Sequence, residues 1–231
     1  LIKMEKKIKL TKEQVLQVKN YLNNKDIDYI DLQFEVLDHI ILDVENLLDE
    51  KQLAFNEAFD EVKLKWRSSF KNESSALLSI FHYRPSIFIN RCLKIYKPYY
   101  KRGTLKMILS MFAFALLQKF VFQKVEIANS VLTYLLVFVA LIHTWFVLYW
   151  YFKIKKTKLK TTYSFLYNTQ VISSIIITVA VFFNIFNETI FEFESFDFIL
   201  LYLLLMTFYQ GISFSKKHSE IVSNYKKYQL K

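Results

Sequence analysis

Glu35, His39 and Asp43 recur at i, i+4 and i+8, and Asp31, Asp38, Glu45 and Asp49 lie along the same flank of one helix-patterned stretch. At about 100° per residue this spacing brings carboxylates and an imidazole onto one helix face. Such a set could hold a divalent transition metal or meet a basic partner. No second histidine or cysteine elsewhere completes a metal site, so no metal and no cofactor is expected. The remaining readings are a solvated acidic face and a partner-recognition surface. Leu32 and Leu42 emerge within the acidic arc, which favours recognition, with Asp31, Glu35, Asp38, His39, Leu42 and Asp43 as the contact residues.

Other reactive side chains are sparse. Cys92 is the single cysteine and sits among basic residues, a setting that can activate a thiol, but no general base lies beside it in sequence. The chain has no glycine-rich phosphate loop, no His-Glu-x-x-His helix and no Gly-x-Ser-x-Gly elbow, so no catalytic residues are assigned and no enzyme is expected. Within apolar runs His143, Asn168 and Gln170 are the polar groups best placed to line a transport pathway or to bind a neighbouring helix.

The elements that must carry these groups follow from composition. Hydrophobic residues make up 53% of the 231, aromatics 18%, and there are only 2 Gly and 2 Pro, which excludes collagen-like, disulfide-framework and long disordered classes and points to a membrane protein. Four apolar runs approach the roughly 20 residues needed to cross a bilayer: 107–123, 129–152, 164–186 and 198–214. The first carries Lys119, placed to snorkel at the outer end, and the last is short.

The net charge of +10 is uneven: residues 1–73 hold 12 Lys+Arg against 15 Asp+Glu, and residues 74–231 hold 19 against 6. Basic residues flank apolar runs, so nucleic acid is not expected as a partner. They alternate between connections, dense before 107, sparse at Lys124 and Glu126, dense again over Lys153–Lys160, replaced by Glu188, Glu192, Glu194 and Asp197 in the next loop, and dense in the tail 215–231. Four spans with both termini cytoplasmic satisfy every segment of the positive-inside pattern. Tyr96, Tyr99, Tyr149, Trp150, Tyr163 and Tyr209 fall near the expected cytoplasmic ends, and no cleavable signal peptide is visible.

Residues 1–73 read as a small cytosolic three-helix domain. Thr11 is the expected N-cap of the first helix, the second should run from about Tyr29 to Glu50, and the third should start near Phe55. Residues 74–106 read as a juxtamembrane basic linker. Its Phe88, Cys92, Ile95, Tyr96 and Tyr99 share one helical face that should lie on the membrane. Arg91, Lys94, Lys97, Lys101 and Arg102 should then meet anionic lipid headgroups, and Pro98 should end or kink the helix. The expected fold is thus all-α: three-helix domain, interfacial amphipathic linker and four-helix transmembrane domain over 107–214.

The run Glu35-Val36-Leu37-Asp38-His39-Ile40, followed by Phe55-Asn56-Glu57-Ala58-Phe59 and Val62, resembles the short cytosolic helical domains called HAAS or permease-prefix domains. The whole layout is similar to multi-pass membrane proteins of Bacteroidetes bacteria. Where members often place a glycine before the third helix, this chain has Lys51-Gln52. The resemblance implies a non-enzymatic regulatory or accessory protein of the bacterial inner membrane. Such proteins are sometimes associated with a PadR-type transcription regulator or a transporter, and for this chain a protein partner or a homo-oligomer is expected. The alternative is a small transporter or channel subunit whose transmembrane polar residues line a pathway.

Overall fold

A computed structural model of the chain describes residues 9–120, 126–187 and 195–229, which are mostly helical. Two compact units emerge: residues 1–93 with 159–162, and residues 94–158 with 163–231. The last turn of the expected 107–123 span, the Lys124 connection, and the loop with Glu188, Glu192 and Glu194 lie outside the described residues, as does the side chain of Lys119.

The first unit holds α1 (Lys12–Asn23), α2 (Ile30–Lys51) and α3 (Phe55–Trp66). Thr11 caps α1 as a reciprocal pair with Gln14: its hydroxyl accepts the Gln14 N–H at 3.3 Å, and the Gln14 side chain accepts the Thr11 N–H at 2.8 Å. At the start of α3 only half of this box exists, because Ala54 has no side-chain acceptor, and Glu57 accepts the Ala54 N–H at 3.3 Å. Val36, Ile40, Val44 and Leu48 form a buried i, i+4 stripe on α2, which packs against α1, where Val18 and Leu22 are buried, and against α3, where Ala58, Phe59 and Val62 are buried. Tyr21 meets Phe59 edge to face at 5.6 Å, closing the same core.

The unit extends beyond three helices, and the chain is not purely α. After a single 3-10 turn at Ser68–Phe70, β1 (Asn72–Ser75) pairs antiparallel with β2 (Ser79–Pro85), Glu73 opposite Arg84. β1 is Asn-Glu-Ser-Ser and largely exposed, so no apolar alternation announces it. The start of α4 (Ser86–Phe120) also belongs here, with Phe88, Ile89 and Cys92 buried and Phe88 stacked on Tyr29 at 4.1 Å. Phe88 and Cys92, expected against lipid, therefore pack against protein: the helical period identifies a buried face but not the medium that buries it.

In the second unit α4 continues through Pro98 to Phe120 as one helix. A proline removes one helical hydrogen bond, and just after it α4 is tied within this unit by Tyr99, whose hydroxyl meets that of Ser213, and by the Gly103 carbonyl, which accepts from the Tyr202 hydroxyl. With it are α5 (Glu126–Lys156), α6 (Thr162–Asn187) and α7 (Ser195–Gln229), whose core is Leu136, Ala140, Val181, Leu200 and Leu204. Among the described residues, three helices are long and apolar enough to cross a membrane, over Tyr134–Lys156, Thr162–Phe183 and Asp197–Lys227. The C-terminal half of α4 is not among them, since its apolar run starts only after Lys106 and the described part stops at Phe120. The expected tail continues α7, and His218 within it is buried, its Nε2 3.1 Å from the Thr157 hydroxyl.

Candidate functional site

The polar arc of α2 divides into groups engaged within the first unit and groups facing outward. Asp31 accepts the backbone N–H of Thr162 at 2.9 Å. Glu35 pairs with Arg91. Asp43 accepts Lys65 Nζ at 2.8 Å and the Trp66 indole N–H at 2.8 Å. Burial alone would raise the Asp43 carboxyl, but the hydrogen bonds from Lys65 and Trp66 and the Lys65 charge outweigh it and hold the carboxyl below its ordinary range. Three of the six expected contact residues are thus tied down by their own chain, and no His, Cys, Asp or Glu cluster of metal-binding kind occurs among the described residues.

Asp38 and His39 remain exposed, and so does Leu42 at 39%. Leu32, expected to emerge beside them, is instead 2% exposed and part of the core. Its place on the outer face is taken by Phe34, which is 56% exposed. Phe34, Asp38 and Leu42 follow i, i+4, i+8, so an aromatic ring, a carboxylate and a leucine line one strip with His39 alongside. The same i, i+4 spacing that aligns the charged residues marks Phe34 in the sequence.

The N-terminal end of α2 is closed by distant backbone. Tyr29, its N-cap, makes no side-chain cap bond, and the Ile30 N–H donates to the Lys160 carbonyl at 3.0 Å. Lys160 Nζ also reaches Asp28 at 2.8 Å. Burial pushes the Tyr29 phenol up to about 12, and burial also raises the neighbouring Cys92 thiol, leaving it protonated and shielded.

Among the expected lipid-facing cations, Arg91 is half-buried in its pair with Glu35, whereas Lys94, Lys97, Lys101 and Arg102 are exposed. In the helices of the second unit His143 is 2% exposed, with Nε2 3.0 Å from the Thr207 hydroxyl. Gln170 is buried and donates to Gln210, and Thr144 meets Thr178 at 3.1 Å. Asn168 is exposed and does not join them. These pairs cross between helices, as polar groups do when they fasten a membrane bundle.

Comparison with protein-family models, with curated proteins and with solved structures finds no match for this chain.

Proposed function

We propose that the chain is a non-enzymatic accessory or regulatory membrane protein whose N-terminal unit binds a protein partner through the Phe34, Asp38, His39 and Leu42 strip of α2. The observation that carries this reading is the exposure of Phe34 at 56% beside Leu42 and a carboxylate on one helical face. Covering the exposed part of this ring would recover a share of the roughly 1.5–3 kcal/mol that full burial of such a side chain is worth. An aromatic anchor with an adjacent leucine and a charged rim is the composition of a recognition patch.

The membrane placement in this proposal has four spans, with the second half of α4 as the first and both termini at the cytoplasmic face of a bacterial inner membrane. The alternation of basic and acidic connections supports it, as do outward-facing Ile108, Leu109 and Phe112 on α4, which resemble the exposed apolar surfaces of α5 and α6. The transport alternative gains less support, because His143 and Gln170 are engaged in interhelical pairs.

The test is crosslinking capture from native membranes with the intact protein and its Phe34→Ser/Asp38→Lys/Leu42→Ser variant. A protein captured by the wild type and lost in the variant is the expected result. Identical capture by both, with the variant equally abundant in the membrane, removes this strip from the function.

A further inference from the structure

We propose that a cavity between α4 and α7 is a binding site for one anionic phospholipid, its phosphate held by Arg102 and Lys106. The cavity measures about 390 Å³, within the roughly 300–1,000 Å³ of ordinary ligand sites, and both helices belong to the second unit. Arg102 and Lys106 are spaced i, i+4 on the exposed wall, and no ion pair among the described residues takes up either charge. The opposite wall is α7, where Leu205, Met206 and Tyr209 supply apolar surface.

A buried donor completes the wall. Gln210 lines the cavity, is 1% exposed, and meets Gln170 through its Oε1, so its Nε2 has no partner among the described residues. The cavity is bounded by fixed contacts. The Tyr202 hydroxyl donates to the Gly103 carbonyl at 2.7 Å, and the Tyr99 hydroxyl lies 2.8 Å from that of Ser213. Gly103 permits the approach, since a Cβ there would stand 2.5 Å from Met206 Sδ.

The occupant follows from this combination. A free anion would neutralise the two cations but leave the apolar wall wet, and an apolar helix would leave both cations unpaired. A phospholipid with a single negative phosphate satisfies both, with the headgroup on Arg102 and Lys106 and the start of an acyl chain along Leu205 and Met206. Basic pockets between membrane helices at the cytoplasmic side select anionic headgroups on these grounds. The proposal rests on the membrane reading of the second unit and is independent of the partner surface on α2.

The intact protein is reconstituted into nanodiscs of phosphatidylcholine with a minor fraction of phosphatidylglycerol, and lipids retained on release are identified by native mass spectrometry. The wild type should retain one phosphatidylglycerol, enriched roughly tenfold over its share of the bilayer. Arg102→Gln/Lys106→Gln should lose the enrichment, whereas Lys226→Gln/Lys227→Gln, with the same change in charge at exposed positions outside the cavity, should keep it. Excess inorganic phosphate should not displace the lipid. Enrichment that survives the Arg102/Lys106 change, falls equally in the Lys226/Lys227 variant or yields to phosphate overturns the site. Failure of the wild type to enter nanodiscs overturns the membrane reading itself, so the two failures are distinguishable.

Discussion

Asp31 accepts the backbone N–H of Thr162 at 2.9 Å across 131 positions of sequence, so a carboxylate in the first turn of α2 serves as acceptor for the first residue of α6. The exchange is reciprocal, because the Ile30 N–H at the start of α2 donates to the Lys160 carbonyl. Each helix N-terminus leaves donors unsatisfied, and here each strand of the exchange relieves the other. Asp31→Ala should cost about 1–2 kcal/mol, as removal of an N-terminal acceptor does, and Asp31→Asn, which retains an acceptor oxygen, much less. Hydrogen exchange in the peptide covering 160–163 is the readout. It should rise about tenfold in the alanine variant, and unchanged protection would show that the bond contributes nothing there.

A pH dependence follows from Asp43. Its folded carboxyl is held below the usual value, by Lys65 and Trp66 against the opposing effect of burial. The stability it contributes is therefore fully present above the unfolded carboxyl value of about 4 and is lost as the pH falls through the lower folded value. Asp43→Asn cannot make this charge interaction and should flatten the acid limb of the stability curve below about pH 4, with little change in its shape between pH 6 and 8. Trp66, whose indole N–H donates to Asp43, gives a local fluorescence signal for the loss once Trp145 and Trp150 are replaced by Phe. An acid limb of equal steepness in both proteins would exclude Asp43 as a contributor.

Gln52 ends α2 in the left-handed conformation, φ 53° and ψ 34°. A side chain there crowds the backbone, and glycine avoids that cost. Gln52→Gly should stabilise the first unit by up to about 1 kcal/mol, and Gln52→Val, branched at Cβ, should destabilise it. The measurement is thermal unfolding of the full chain in the same Trp145→Phe/Trp150→Phe background, followed through Trp66. Destabilisation by glycine would mean that the Gln52 side chain does more than terminate the helix.

The helices of the first unit were legible because their information is local: the Thr11 cap, the i, i+4 stripe from Val36 to Leu48, and the Asn23-Asn24 break all lie within a few residues of what they specify. What the local pattern does not carry depends on distant chain. Leu32 sits among acidic residues and still is buried, at the same end of α2 where Ile30 and Asp31 meet residues 160–162. Glu35 reads as a free acid until Arg91, 56 positions on, is brought beside it. The hairpin carries no apolar alternation in β1, so nothing in its residue pattern distinguishes it from a loop.

The pairing of His143 with Thr207 allows packing and transport to be separated. The Thr207 hydroxyl has one proton and also lies 2.9 Å from the Leu203 carbonyl within its own helix. When that proton goes to Leu203, the hydroxyl accepts from His143, whose Nε2 then carries a proton. A group held this way is a fastener between α5 and α7, and interhelical hydrogen bonds in membranes contribute about 0.6 kcal/mol on average and up to about 1.7. A double-mutant cycle with His143→Ala and Thr207→Val should therefore return a coupling of about 0.6–1.7 kcal/mol in unfolding of the reconstituted protein. Thr207→Ser, which keeps the hydroxyl, should retain most of that coupling. Zero coupling would remove the fastening role, and a change in vesicle ion flux with His143→Ala while stability held constant would transfer His143 to the transport reading.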